Sequence, residues 1–389
     1  MIARAFPYII IVALLADAYL HVRYIRKARW WWQALWWLPT AALTAAACWL
    51  RRDADFVPRD MTWLNTFLMC YLLTVTPKGL LSVGDAAGLI AGRLWRRGHT
   101  VCLGMGAAAA VASAAAVCHG FFVGFHQFEV VRVELTFKDL PKDFDGYRIV
   151  QWSDAHVGTL TGSRSAILQR AVDSINAQHA DIVVFTGDMQ NKEASEIVDC
   201  QDILKGIKAR DGVISVLGNY DYPIYIDTTA IDEYERYLCL GRTVEAQTNM
   251  GWKVLMNSHV NIKRDSAHIV IAGMENDGEG RFPQLGNVAN ALRRVKRSAF
   301  VIMVEHDPTS WRRKILPHSH CQLTLSGHTH AGQLSLMGWH PSRLRYREDD
   351  GLYSMGERRL LVTHGLGGVV PFRLGATGEI VEITLRKSH

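Results

Sequence analysis

Leu323-Thr324-Leu325-Ser326-Gly327-His328-Thr329-His330 is a short apolar run that breaks at a glycine and ends in two histidines flanking one threonine. Four residues of this kind bounded by a turn signal read as a buried strand. Two imidazoles at a strand end have few structural uses, and their usual one is to bind metal. Working outward, four more runs end in the same way. Tyr147-Arg148-Ile149-Val150-Gln151-Trp152 leads to Asp154-Ala155-His156, and Asp181-Ile182-Val183-Val184-Phe185-Thr186 leads to Gly187-Asp188. Val213-Ile214-Ser215-Val216-Leu217 leads to Gly218-Asn219-Tyr220-Asp221, and Phe300-Val301-Ile302-Met303-Val304-Glu305 leads to His306-Asp307-Pro308. Residues that follow buried strands gather at one edge of an α/β sheet, where such folds place their ligands.

Taken singly, these pieces are weak, since Gly-Asp after a strand is usually a turn and Asp-x-His is common by chance. Taken together and in this order, they supply carboxylates, imidazoles and one neutral amide oxygen. That donor set suits two divalent cations better than one, with a carboxylate to bridge them and positions left for water and substrate. Gly187, Gly218 and Gly327 fall where the chain turns sharply and where a side chain would crowd an ion.

On these motifs the sequence resembles the calcineurin-like metallophosphoesterases, and within them the branch of transmembrane proteins with a metallophosphoesterase domain. The resemblance implies that Asp154, His156 and His330 hold one metal, that Asn219, His306 and His328 hold the other, and that Asp188 bridges them. It implies a fold of two mixed β-sheets packed face to face with helices outside. Gly365-Leu366-Gly367-Gly368 followed by Pro371-Phe372-Arg373 is similar to that branch's closing segment. One position departs from the pattern. Where the family carries a histidine that assists at the phosphate, this chain has Tyr220. The metal ligands are complete, so the departure bears on efficiency and substrate range.

The first third has another texture. Four apolar stretches, Ala5–Leu20, Trp30–Leu50, Met61–Val83 and Val101–Phe125, approach or exceed the roughly 20 residues that cross a bilayer core. The second opens on Trp30, Trp31 and Trp32, an interfacial signature. The fourth is rich in small residues that allow close helix packing. The third is interrupted by Pro77 and Lys78, which suggests a kink and a side chain snorkelling outward. Ala16-Asp17-Ala18 has the form of a signal-peptide cleavage site, but the downstream cluster Arg23, Arg26, Lys27 and Arg29 reads as a retained loop. The expected organisation is a transmembrane anchor of four helices over residues 1–127 and an α/β metallophosphoesterase domain over residues 128–389.

Charge follows this division. Residues 1–128 hold 12 Lys and Arg against 5 acids, which leaves 31 against 32 beyond. The larger part therefore has no nucleic-acid footprint. The loops after the first, second and third stretches carry four, three and three basic residues, a slight bias that places the N-terminus and the large domain outside the cytoplasm. Seven scattered cysteines without a CxxC pair indicate neither a disulfide framework nor a cysteine metal site.

The reading is a multi-pass membrane protein that hydrolyses a phosphomonoester, phosphodiester or pyrophosphate with two ions of Mn, Zn or Fe. Asn219, Tyr220 and Asp221 are the candidate catalytic and orienting groups. Arg373 is a candidate for a substrate oxygen, against the plainer role of a solvated surface arginine, and His364 is a candidate near the leaving group. Anchoring beside a bilayer favours a lipid-linked substrate, and the resembled branch includes enzymes assigned to a UDP-acylglucosamine pyrophosphate. That compound is cytoplasmic, in tension with the outward orientation. The rivals are a metal-binding scaffold or sensor impaired by Tyr220, and a transporter with a regulatory domain. Asp17 and Lys78 are the main intramembrane charges and no repeat is visible, which disfavours a transport pathway. Oligomeric state is not encoded in any pattern read here.

Overall fold

The computed structural model describes residues 2–50, 61–225 and 232–388. The chain divides into two compact units, Met1–Val123 and Gly124–His389.

The first unit contains, among the described residues, four long helices: α1 (Ile2–Leu20), α2 (Trp30–Leu50), α3 (Thr62–Leu94) and α4 (Gly98–Phe122). Among the described residues, three stretches are long and apolar enough to cross a membrane, Tyr8–Ile25, Thr62–Leu94 and Gly98–His126. This corrects the expectation of four. Helix α2 has the length, but its tryptophans, Gln33, Pro39, Thr40 and Thr44 dilute its apolarity. The second basic loop, Arg51, Arg52 and Arg59 with Asp53, Asp55 and Asp60, lies outside the described residues.

Helix α3 runs past the expected end at Val83 and carries Asp85 inside it. A buried carboxylate needs donors, and Asp85 has four. Tyr19 Oη donates at 2.8 Å, Arg23 Nε at 3.2 Å and Tyr24 Oη closely, while His99 Nε2 stands at 2.9 Å. Lys78 does not snorkel. It turns inward to Asp17, with Nζ at 2.6 Å from Oδ1, and lies over the Trp36 ring, while Thr40 Oγ1 donates to the same carboxylate. The small residues of α4 do permit close approach: a Cβ at Gly84 would stand 2.6 Å from Gly106 Cα. The side-chain bonds also set direction. Tyr71 donates to Ile9 O, Lys78 meets Asp17 and Asp85 meets Tyr19, so α1 and α3 run parallel. Trp37 meets His21 and Thr40 meets Asp17, so α2 returns alongside α1.

The second unit is a pair of six-stranded mixed sheets. The first contains β1 (Phe128–Phe137), β2 (Arg148–Trp152), β3 (Ile182–Phe185), β4 (Val213–Ser215), β5 (Lys253–Val254) and β12 (Gly378–Lys387), in the order β1-β12-β2-β3-β4-β5. The second contains β6 (Ser258–Arg264), β7 (Ala267–Gly273), β8 (Val301–Val304), β9 (Leu323–Ser326), β10 (Gly351–Met355) and β11 (Arg358–Val362), in the order β10-β11-β9-β8-β7-β6. The central strands are buried on both faces, as parallel strands between layers must be. Ile149, Ile182, Val184 and Ile214 meet Ile271, Ile302, Val304 and Leu325 between the sheets. On the outside, helix α5 (Ser165–Ala177) covers Val183 and Phe185 with Ile167, Leu168, Ala171, Val172 and Ile175. Trp311 and Ile315 cover the outer face of the second sheet.

The register sets up the site. Trp152 pairs with Phe185 and Phe185 with Ser215, so three parallel strands of one sheet end level. Val304 pairs with Leu325, and Ser326 with Val362, so the other sheet ends level too.

The inward Asp17–Lys78 pair has a direct test. Lys78→Met strands a buried carboxylate, which costs about 3–5 kcal/mol where such pairs are broken. Combining it with Asp17→Leu is expected to restore most of the loss in thermal unfolding of the detergent-solubilised protein.

Candidate metal centre

The expected ligands converge at the level strand ends. Asp154, His156 and His330 form one group and Asp188, His306 and His328 another, each with one donor atom per residue within 4.8 Å of the rest. Asp188 joins the groups: its Oδ2 lies 3.1 Å from His306 Nε2 and 3.8 Å from His156 Nε2. Its other oxygen is held by the Tyr220 backbone N–H at 2.7 Å. Asp154 Oδ1 stands 3.3 Å from His330 Nε2, and the carboxylate accepts from His328 N at 3.0 Å.

Local backbone geometry brings these side chains to a point. Asp154, His156, Asp188, His328 and His330 all have positive φ, from 46° to 77°. Such left-handed residues cluster at functional sites, where surrounding structure holds the strain. Gly187, at φ +101°, and Gly218 explain themselves differently from the expectation. A Cβ at Gly218 would stand 2.2 Å from Asp188 Oδ1, so the side chain excluded is one that would crowd the carboxylate itself.

Four of the ligands are also oriented from behind. His156 Nδ1 meets Asn191 Oδ1 at 3.1 Å, His306 Nδ1 meets Thr186 O at 2.8 Å, and His328 Nε2 meets Tyr346 Oη at 2.8 Å. Asn219 Nδ2 donates to Tyr225 Oη at 2.8 Å. These outer partners leave the inner atoms facing the pool, the arrangement expected around metal ligands. His156 Nε2 and Asn219 Oδ1 are buried and have no hydrogen-bond partner. Buried polar atoms without partners are rare, and here they are the donor atoms a cation requires. The residues fit two divalent ions.

Electrostatics agree. Burial pushes the Asp154 carboxyl up to about 6, with His306 opposing and Asp188 adding to the rise. Burial also works against charge on Asp188, but His306 and the other imidazoles hold it below the usual carboxylate range. His306 is raised to about 10, burial being outweighed by the Asp188 carboxylate. Asp188 thus draws positive charge to its side of the pool, which a proton on His306 or a cation can supply.

The remaining expected residues take distinct places. Asp221 is buried and does not face the pool: Oδ1 accepts from Met189 N at 2.9 Å, and Oδ2 from Asp188 N and Gly218 N at 2.9 Å each. It is a positioning residue that ties two ligand loops together. Tyr220 borders the pool, edge-on to His156 at 4.8 Å between ring centroids and stacked on Tyr225 at 4.1 Å. Burial, then Asp188, push its phenol up to about 12. Arg373 is fully buried rather than solvated. Its Nη atoms donate to the carbonyls of His364, Gly365, Gly367 and Ala376 at 2.7–3.0 Å, so they brace the closing loop. His364 turns to Thr377 O and to Asp350. Asn191, Tyr225 and Tyr346 were not anticipated. Asn191 lies three residues past Asp188 and carried a faint signal, whereas Tyr346 lies in a long loop with no pattern.

The calcineurin-like phosphoesterase family model matches residues 147–332. A transmembrane protein with metallophosphoesterase domain from Danio rerio is 30% identical over 272 residues, covering 67% of this chain and 58% of that protein. The metallophosphoesterase YkuE of Bacillus subtilis strain 168 is 29% identical over 308 residues, covering 73% of this chain and 95% of that one. The phosphodiesterase YaeI of Escherichia coli K12 is 25% identical over 268 residues, covering 66% and 88%. The matched segment contains every residue of both ligand groups, so residues 147–332 form a calcineurin-like phosphoesterase domain.

Proposed function

We propose that the chain is a membrane-anchored phosphoesterase that hydrolyses a phosphomonoester, phosphodiester or pyrophosphate with two divalent cations. The observation that carries this reading is the pair of ligand groups sharing Asp188 Oδ2, with buried donor atoms left unpartnered on both sides. Asp154, His156 and His330 would hold one ion, Asn219, His306 and His328 the other, and Asp188 would bridge. The ions supply charge neutralisation at phosphoryl oxygens and acidification of a water. The mixed imidazole and carboxylate donors suit Mn, Zn or Fe. The protein's part is to hold seven donors in place through the outer partners, and to keep the bridging carboxylate ionised.

Asp188→Asn should lower occupancy of both ions, and His156→Ala mainly of one. Elemental analysis of the purified protein reads this, and one metal or none in active wild-type protein would overturn the two-ion reading.

Tyr220 bears on substrate choice. A histidine at this position could exchange protons near neutral pH, with an ordinary pKa of about 6.5 against about 10 for tyrosine. A phenol still donates a hydrogen bond to a departing oxygen but gives up its proton less readily. General-acid help is worth about 10²–10⁴-fold and matters most for poor leaving groups. The enzyme is therefore expected to favour acidic leaving groups, such as aryl or nucleoside-diphosphate compounds. Tyr220→His should speed alkyl esters more than aryl esters, and Tyr220→Phe should slow turnover without emptying the metal sites. Rate against leaving-group pKa for the three proteins decides; coincident slopes would remove Tyr220 from leaving-group chemistry.

Anchoring favours a lipid-linked phosphate as substrate. Because α1 and α3 run parallel with α2 returning between them, the basic segments Arg23–Arg29 and Arg93–Arg97 lie at the same end of the helical unit. This supports a cytoplasmic position for that end, and α4, which starts there and is apolar enough to cross, leads to an extracytoplasmic domain. A side-specific reporter fused after His389 is expected to report the outside. A cytoplasmic signal would reverse the placement and favour a nucleotide-sugar lipid.

A further inference from the structure

The β10–β11 hairpin opens on a second set of metal-binding side chains, outside the pool. Gly351 pairs with Val362, so Asp350 before β10 and His364 after β11 flank the same end of the hairpin. His340, from the loop ahead of β10, joins them. One donor atom from each of His340, Asp350 and His364 lies within 4.8 Å of the other two.

The hydrogen bonding of His364 is the informative part. Its Nδ1 stands 3.1 Å from the Thr377 carbonyl, which can only accept, so Nδ1 carries the hydrogen. In the neutral ring, Nε2 then bears a lone pair. That buried Nε2 has no hydrogen-bond partner, and it lies 2.7 Å from Asp350 Oδ1. A lone pair facing a carboxylate oxygen at this distance needs positive charge between or beside them. His340 brings a second imidazole: its Nδ1 is 3.2 Å from Asp349 Oδ2 and 3.9 Å from Asp350 Oδ2. Asp349 is buried, accepts from Ser342 Oγ at 2.9 Å and from Tyr353 Oη at 3.2 Å, and stands 3.5 Å from Arg343 Nε. It is thus already partnered, whereas Asp350 and His364 are left facing each other.

We propose that His340, Asp350 and His364 form a third divalent-cation site, separate from the two-ion pool and backed by Asp349. Two imidazoles and a carboxylate are the donor set of a first-row transition metal, and suit Zn or Mn better than Mg or Ca. The site reaches the pool through two bonds. Thr329, between the ligands His328 and His330, donates its Oγ1 to Asp349 O at 2.5 Å. Tyr346, in the loop between His340 and Asp350, contacts His328 Nε2 at 2.8 Å. A cation here ties that loop to the hairpin and so steadies the outer partner of His328. A proton on His364, making a plain ion pair with Asp350, is the competing explanation.

The test counts metal. Full-length protein in detergent is stripped with chelator, titrated with Zn²⁺ alone and Mn²⁺ alone, freed of excess by gel filtration and analysed for bound metal. The His340→Gln/His364→Gln protein is expected to bind one ion fewer than wild type. The same difference of one should persist in an Asp188→Asn background, where the pool is impaired. This separates failure of the third site from failure of the two-ion reading, which would alter the effect of Asp188→Asn and leave the difference of one intact. Asp350→Asn, which keeps the shape and removes the charge, should show the same loss if the double variant folds poorly. Equal metal counts in wild type, Asp350→Asn and the double variant would overturn the site and leave the ion pair.

Discussion

Asp188 places a carboxylate, almost wholly buried, between two groups of imidazoles, and the rest of the domain is arranged to make that tolerable. A buried charge must be paired or coordinated. One oxygen is met by a backbone N–H from the Asn219-Tyr220-Asp221 loop, and the other faces His306 and His156. That loop is itself fixed by Asp221, which gathers backbone N–H groups from both its own turn and the Gly187-Asp188-Met189 turn. The bridging carboxylate and its holder are therefore cross-braced: each motif supplies a donor or acceptor that the other needs. Neighbouring parallel strands ending level in the first sheet make this possible, since they bring the two turns within hydrogen-bond reach.

That logic also explains what could be read from the sequence. Asp154, His156, Asp188, Asn219, His306, His328 and His330 were legible because each directly follows a strand whose apolar run is itself legible. Parallel strands then do the gathering, whatever lies between them. Of the two readings of Arg373, the solvated alternative missed its burial. Its position in a glycine-rich segment gave no hint that four carbonyls would converge on it. Tyr225 and Tyr346 were invisible for a related reason. A residue that orients a ligand from behind need only have a hydroxyl in the right place, and loops deliver such groups without any periodicity.

The helical unit shows the same physics in an apolar setting. The third apolar stretch was read only to Val83, two residues short of Asp85, whereas the helix runs on to Leu94. Four donors from α1, its following turn and α4 converge on that carboxylate, so the helix can run on through it. Lys78 was assigned outward for want of a visible partner, when the partner was Asp17, 61 residues earlier. Polar residues in apolar helices are thus better read as pairs in search of each other than as interruptions. Asp17 with Lys78, and Asp85 with Arg23, are such pairs, and they fasten α1 and its following turn to α3.

Strain at the pool would give a bound metal a structural role beside the chemical one. Five ligand residues sit at positive φ, each costing about 1–3 kcal/mol. A domain's whole stability is about 5–15 kcal/mol, so these residues together are a load of the same order. The interlayer core and the Asp221 brace must carry it. Ions that bind the folded pool and not the unfolded chain offset it by mass action. The left-handed turns are what aim alternate side chains of Asp154-Ala155-His156 and His328-Thr329-His330 inward together. Relaxing them toward ordinary strand or helix geometry would stabilise the empty backbone and disperse the donors. The strain, the unpartnered donor atoms and the buried carboxylates all fit one arrangement, that of a site able to take cations.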